Sequence, residues 1–112
     1  MKKLLFVLLC ALVISCKKEE KGGVRIKEVT ASPTGSEMVE ITNTSKTKFD
    51  LSGWMIGDKN NPNAFKIGDD WTINFEENQI FPASLLGISI DDSGEQIYLK
   101  DKEGNVIDTW TN

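Results

Sequence analysis

Short runs of alternating apolar and polar residues, separated by turn residues, fill most of the chain. Val24–Val29 begins by alternating apolar and charged positions, and Met38–Asn43 places Val39 and Ile41 on the same face. A period of two residues is typical of strands that bury one face and expose the other. Both segments are therefore predicted to be strands.

The remaining strand predictions follow the same kind of pattern. They cover Phe49–Ile56 with a bend or bulge at Ser52–Gly53, Ala64–Ile67, Trp71–Phe75, Ile80–Phe81, Leu85–Ile90, Glu95–Lys100 and Asn105–Trp110. The last two form a predicted hairpin, in which Gly104 supplies the positive φ that the turn requires. No segment keeps an apolar period of 3.6 residues over the length of a helix. Seven to nine short strands in residues 24–112 predict an all-β domain, a β-sandwich.

The first 16 residues have a different pattern, MKKLLFVLLCALVISC. Lys2 and Lys3 precede a continuous apolar run, Leu4–Ile14. That run is shorter than the roughly 20 residues that a membrane-spanning helix needs. A positive start, a short apolar run and a small residue are the layout of a secretory signal peptide, which we predict for residues 1–15.

Cys16 follows this leader directly. The segment Val13-Ile14-Ser15-Cys16 resembles a bacterial lipobox. That resemblance implies cleavage between Ser15 and Cys16 and acylation of Cys16. The alternative is a chance cysteine beside an ordinary cleavage site. Several acyl chains, at about 0.8 kcal/mol per buried methylene, would make the anchor effectively permanent.

Residues 16–23 are predicted to be the lipidated cysteine and a flexible tether. Lys17–Gly23 contains no apolar side chain and ends in two glycines, so it cannot join a core. The Lys17–Glu20 order resembles surface-export signals of bacterial lipoproteins, and a merely solvated linker is the alternative. The expected location is the bacterial cell envelope, lipid-anchored at the outer membrane, with surface display if the export signal operates.

Composition narrows the chemistry. The sequence has no histidine, and its two cysteines, Cys10 and Cys16, both precede the predicted domain. Nucleophile systems that need a histidine base are therefore excluded, as is a structural disulfide in the domain. From residue 24 onward, eight basic residues face 15 carboxylates, a formal charge of −7. A domain of that charge repels phosphate backbones, so no nucleic-acid partner is expected.

Several motifs occur together in a fixed order along the domain. They are Glu37–Asn43, Asp50-Leu-Ser-Gly-Trp54 with Asp58, Ser93-Gly-Glu95 with Ile97 and Leu99, and Asp101, Gly104 and Val106–Asp108. Together they resemble the lamin-tail domain over roughly Val24–Trp110. The resemblance implies an immunoglobulin-like β-sandwich for residues 24–112 and an interaction or tethering role. The stretch Gly68–Asn78 is longer and more acidic than that family's usual pattern.

The candidate sites are few. Asp69, Asp70, Asp91 and Asp92 are weak calcium candidates, which would require their loops to meet at one edge of the sandwich. Solvated turns are the alternative for all four. No catalytic residue, cofactor site or other metal site is predicted, and the protein is not expected to be an enzyme.

The sequence therefore predicts a non-catalytic, membrane-anchored interaction or tethering module, with a protein or an envelope polymer as its partner. The alternative is a carbohydrate-binding module that uses exposed aromatic rings and loop carboxylates. A structural envelope protein is a third hypothesis. Trp54 is predicted to be core, and the alternation of Trp71, Ile73 and Phe75 predicts that all three point inward. Trp71 would have to be exposed to serve as a sugar platform.

Overall fold

A computed structural model describes residues 23–33 and 35–112 of the chain. The described residues form nine strands and one helical turn: β1 Val24–Thr30, β2 Met38–Asn43, β3 Phe49–Asp50, β4 Met55–Asp58, β5 Phe65–Lys66, β6 Thr72–Ile73, β7 Asn78–Pro82, α1 Ala83–Leu86, β8 Gln96–Lys100 and β9 Val106–Thr111. The predicted all-β, immunoglobulin-like β-sandwich of seven to nine short strands is confirmed.

One sheet has the order β1-β2-β7, and both of its pairings are antiparallel. Val39 of β2 lies opposite Phe81 of β7, and both side chains are buried on the inner face. Glu40 lies opposite Ile80 on the outer face. The alternation seen in the sequence of β2 is therefore the division between core and solvent.

The facing sheet has the order β5-β4-β8-β9, and a separate two-stranded ladder pairs β3 with β6. Ile97 and Leu99 of β8 are fully buried, as the predicted hairpin requires. They meet the inner face of the first sheet in one continuous apolar core. Its largest fully buried members include Phe81, Ile41, Leu51, Ile56, Ile67, Ile73 and Leu86.

The loops of the two sheets meet at two opposite ends of the sandwich. At the end where the described chain begins, Phe49 packs against Gly23, and Lys102 of the β8–β9 turn packs against Gly53. We call this the amino-terminal end. It is fixed by side-chain packing between loops that are distant in sequence.

At the far end, the loop before β2 meets the loop before β8. The Glu37 carboxylate accepts a hydrogen bond from Ile90 N at 3.2 Å, and Lys59 Nζ donates to Gly94 O. Asn112, the last residue, donates through Nδ2 to Asp92 O at 2.9 Å. β8 runs from one end of the sandwich to the other. A strand rises about 3.3 Å per residue, so the number of residues in β8 sets the distance between the two ends.

One strand prediction is wrong. The segment Leu85–Ile90 is not a strand: α1 occupies Ala83–Leu86, and Gly87 ends it in the left-handed region with φ 75°. The strand region Phe49–Ile56 is interrupted at Ser52–Gly53, as predicted, and the interruption divides it into β3 and β4, because Trp54 N bonds back to Leu51 O in a tight turn.

Candidate functional site

The predicted lipidation site lies outside the described residues, since Ser15 and Cys16 both precede Gly23. The structure does describe where the domain begins. Gly23 O accepts hydrogen bonds from Thr44 N at 2.6 Å and from Thr44 Oγ1 at 3.0 Å. Gly23 has φ +72°, and a Cβ there would lie 2.8 Å from Phe49 Cε1. The start of the domain is thus held firmly at the amino-terminal end.

The Asp50–Trp54 motif is a structural turn. The Asp50 carboxylate accepts hydrogen bonds from Ser52 Oγ at 2.6 Å and Ser52 N at 3.0 Å. These bonds, aided by the charge of Lys102, lower the pKa of Asp50 from its ordinary value. Trp54 is buried, as predicted, and its ring meets Phe49 edge to face at 6.4 Å. The motif shapes the core rather than presenting chemistry to solvent.

Asn43 is a buried polar residue whose every polar group is used. Its Nδ2 donates to Thr47 O at 2.8 Å and to Ile73 O at 3.1 Å. Its Oδ1 accepts from Ser45 N at 2.9 Å and Ser45 Oγ at 2.8 Å. The side-chain amide of Asn43 therefore supplies hydrogen bonds in place of the backbone ladder, where β2 ends and the chain turns.

Two acidic residues at the far end are also engaged in structure. Glu95 is buried, and its carboxylate accepts bonds from Asp91 N and Gln96 N, both at 2.9 Å. Asp58 Oδ1 accepts from the backbone N–H of the two residues that follow Lys59, at 3.1 and 2.8 Å. Both carboxylates therefore hold the backbone of the loops around them.

The four weak calcium candidates lie in two separate loops. Asp69 and Asp70 lie between β5 and β6 and precede Trp71, whose carbonyl accepts from Leu51 N. Asp91 and Asp92 lie between α1 and β8 at the far end, beside Asn112. Calcium binding by these four residues stays a prediction. Within residues 23–33 and 35–112, no group of three metal-ligating side chains comes together.

The aromatic residues divide between core and surface. Ile73 is buried, but Trp71 is only half-buried, and Phe75 is 48% exposed. The predicted inward alternation thus ends at Ile73, because Glu77 N bonds back to Asn74 O and turns the chain. Trp71 stacks on Phe81, with ring centroids 5.7 Å apart and planes at 26°. One face of the indole is therefore covered.

A shallow cavity of about 330 Å³ opens at the far end, between the loop before β2 and α1. Glu37 and two hydroxyl groups, those of Ser84 and Ser89, supply its polar lining. Glu37 is partly committed, because its Oε1 accepts from Ile90 N and its carbonyl accepts from Ala83 N. Glu37 is the one ionisable side chain among the described residues that line the cavity.

The free side of β7 is a feature that sequence reasoning missed. β7 pairs with β2 on one side, and its backbone makes no other hydrogen bond within the described part of the chain. Ile80, at its centre, is 54% exposed. The apolar pair Ile80–Phe81 was the only signal in the sequence, and it does not reveal which strand lies at a sheet edge. We call Asn78–Pro82 the β7 edge.

The other sheet edges are shorter or covered. β5 has two residues, and β9 lies beside β1, where Ile26 N donates to Asp108 Oδ2 at 2.9 Å. The β7 edge is therefore the longest uncovered edge among the strands that the structure describes. Unpaired edges are sites at which another chain can add a strand.

This architecture defines a domain of the immunoglobulin-like class. Residues 17–112 match the lamin tail domain family. The chain therefore belongs to the lamin tail domain family, a non-enzymatic group of interaction domains. A comparison with curated proteins finds no match. In the part of the chain that the structure describes, no helix is long and apolar enough to cross a membrane.

Proposed function

We propose that this protein is a lipoprotein of the bacterial cell envelope, whose lamin-tail domain is a non-catalytic interaction or tethering module. The acylated thiol is Cys16, and the outer membrane is the proposed site of anchoring. The partner is a protein or an envelope polymer. Surface display follows if Lys17–Glu20 acts as an export signal.

The observation that carries this proposal is the position of Cys16 relative to the two neighbouring segments. A charged start and an 11-residue apolar run, Leu4–Ile14, end at a lipobox-like segment before Cys16. Seven residue steps then separate Cys16 from Gly23, where the described structure begins. At about 3.5 Å per residue, that tether reaches at most roughly 25 Å. An acylated Cys16 would hold the amino-terminal end close to the bilayer.

A non-catalytic role is supported by how the polar side chains are used. The histidine-free sequence offers no general base of ordinary pKa near neutrality. The buried acids Asp58 and Glu95 bond backbone N–H groups, which gives both of them a structural role. The exposed carboxylates are spread over several loops and strands, among them Glu28 of β1 and Asp50 of β3.

The anchor is tested by comparing Cys16→Ser with Cys10→Ser in the native host. We expect Cys16→Ser to leave the membrane fraction, and Cys10→Ser to remain there, because only the first change removes the acylated thiol. Mass spectrometry of the mature amino-terminal peptide should find acyl chains on Cys16. A Cys16→Ser protein that stays membrane-bound after alkaline washing, or a bare sulfur at Cys16, would refute the proposal.

Carbohydrate binding receives weaker support. Trp71 is partly buried against the core and stacks on Phe81, so a sugar could meet only the part of the ring that stays exposed. A glycan array on the full-length protein, with and without calcium, distinguishes the hypotheses. Binding that Trp71→Ala abolishes would favour the carbohydrate module.

A further inference from the structure

We propose that the β7 edge, Asn78–Pro82, binds an extended segment of a partner protein in which apolar and basic residues alternate. The segment adds a fourth strand to the β1-β2-β7 sheet. This inference rests on the proposed interaction function and specifies the surface and the chemistry of the partner.

The backbone provides the first argument. An edge strand carries a row of N–H and C=O groups on its open side, and a peptide in β conformation satisfies them. β7 extends over five residues and pairs only with β2. Natural edges are usually protected by lysine, by an internal proline or by a bulge. β7 has no charged residue, its proline is its last residue, and its pairing with β2 is regular.

The side chains of the outer face provide the second argument. Ile80 projects from the middle of β7 and is 54% exposed. A lysine or arginine opposite Ile80 on an added strand would pack its methylene stem on the isoleucine, because directly paired side chains lie on the same face. The apolar residues that alternate with it would lie on the inner face, since successive side chains of a strand point to opposite faces. Phe81, on the inner face, is fully buried and anchors β7 to the core. The edge is therefore rigid and offers one apolar position.

The charge around the edge selects the partner. Glu40 lies directly opposite Ile80, and Glu28 lies opposite Glu40, so two carboxylates continue the row that Ile80 begins. Glu76 and Glu77 precede the strand immediately. Like charges directly opposite each other on a sheet are destabilising. Lysine or arginine side chains on an added strand would relieve that repulsion, whereas a second copy of this domain, at −7, would increase it.

The test uses the full-length lipoprotein in detergent micelles and a fluorescent seven-residue peptide in which lysine and valine alternate. We expect saturable binding by fluorescence anisotropy, and shifts of the backbone amide resonances of Gln79, Ile80 and Phe81. Three control peptides are used: one with the same composition in scrambled order, one with glutamate in place of lysine, and one with alternate backbone nitrogens methylated. All three should bind at least about tenfold more weakly. The scrambled peptide loses the alternation, the glutamate peptide loses the positive charge, and the methylated peptide loses backbone N–H donors.

Two matched variants locate the site. Ile80 and Val106 are both 54% exposed, on β7 and β9 respectively. Ile80→Lys should weaken peptide binding at least about tenfold, and Val106→Lys should change it less than about twofold. Only Ile80→Lys places a positive charge beside the basic side chains of the bound peptide. Glu40→Gln, which leaves the core untouched, should weaken binding about threefold and flatten its salt dependence. Near-ultraviolet circular dichroism establishes that each variant is folded.

The possible results of these experiments can be told apart. Binding that survives Ile80→Lys and Glu40→Gln, or equal binding of the methylated peptide, would overturn the β7 inference. A concentration-dependent dimer in sedimentation, lost in Ile80→Lys, would assign the edge to a second copy and overturn it as well. If no peptide binds while Cys16→Ser still releases the protein from membranes, the β7 inference fails and the proposed anchor stands.

Discussion

At the scale of single residues, short polar side chains replace backbone hydrogen bonds where strands end. Asn43 does this for the chain after β2, Asp58 for the chain after β4, and Glu95 for the chain before β8. The positions of these residues at strand ends could be predicted from the sequence. Their partners could not, because Asn43 donates to Ile73, which is 30 residues away. All three side chains therefore have a structural role.

Gly57 is a residue at which contact, not backbone conformation, forbids a side chain. A Cβ at Gly57 would lie 2.3 Å from Asn61 O and from Pro62 C and O. We expect Gly57→Ala to lower the free energy of unfolding by about 2–4 kcal/mol, because the turn after β4 must move. Urea denaturation measures this change.

The matched control is Gly68→Ala, since a Cβ at Gly68 meets no atom within 4 Å. That change should alter the unfolding free energy by less than about 0.5 kcal/mol. Equal losses of unfolding free energy in Gly57→Ala and Gly68→Ala would contradict the close approach of Asn61 and Pro62 to Gly57.

At the scale of elements, the sequence predicted regular strands well and short segments poorly. The bounds of β2 match the prediction, because Val39 and Ile41 alternate cleanly with polar residues. In the run Leu85–Ile90, the apolar residues Leu86, Ile88 and Ile90 lie two positions apart, a spacing typical of a strand. The structure instead buries Leu86 in α1, while Leu85 stays 50% exposed. The position of β7 at a sheet edge could not be predicted for another reason. Strand order depends on contacts between residues that are distant in sequence.

The contact between β1 and β9 depends on one carboxylate. Asp108 Oδ2 accepts from Ile26 N, although the two residues are 82 positions apart. We expect Asp108→Ala to destabilise the domain by about 1.5–3 kcal/mol, since a charged acceptor is lost. Hydrogen exchange at the Ile26 amide should accelerate more than exchange at Ile41 in β2. Thr109→Ala, at the next, exposed position, is the control, and an unchanged Ile26 rate in Asp108→Ala would contradict the prediction.

The β8–β9 turn should be sensitive to acid. Partial burial acts to raise the pKa of Asp101, but hydrogen bonds from Asn105, Glu103 and Gly104 outweigh it and lower the pKa below the ordinary 3.8. A carboxyl whose pKa is lower in the folded state stabilises the fold above its unfolded pKa. That stabilisation is lost as the pH falls below about 3.8 and through the lowered value.

We therefore expect Asp101→Asn to be less stable than the wild type at pH 7, with the difference shrinking towards pH 2. Because Asp101 is largely exposed, the difference at pH 7 should be small. Urea denaturation across that pH range measures it. A difference that grows as the pH falls would contradict the assigned sign.

At the scale of the whole molecule, the position of Gly23 orients the domain. If Cys16 is acylated, the amino-terminal end faces the bilayer, and the loops of the far end point away from it. We expect a dye at Lys46→Cys, in the loop after β2, to transfer energy to a lipid acceptor more efficiently than one at Ser93→Cys. The two positions lie at opposite ends of the sandwich, about 20 Å apart along β8. Equal transfer in reconstituted vesicles would contradict this orientation.

The pairing of the first strand with the last also constrains when the protein can fold. The Ile26 N–H of β1 cannot donate to Asp108 of β9 until the 82nd residue after it has been synthesised. Long-range contacts of this kind form late and slowly. If the protein is exported as proposed, the emerging chain therefore stays open while it crosses the secretion channel. On that proposal the domain closes only once Asp108 has reached the far side of the membrane.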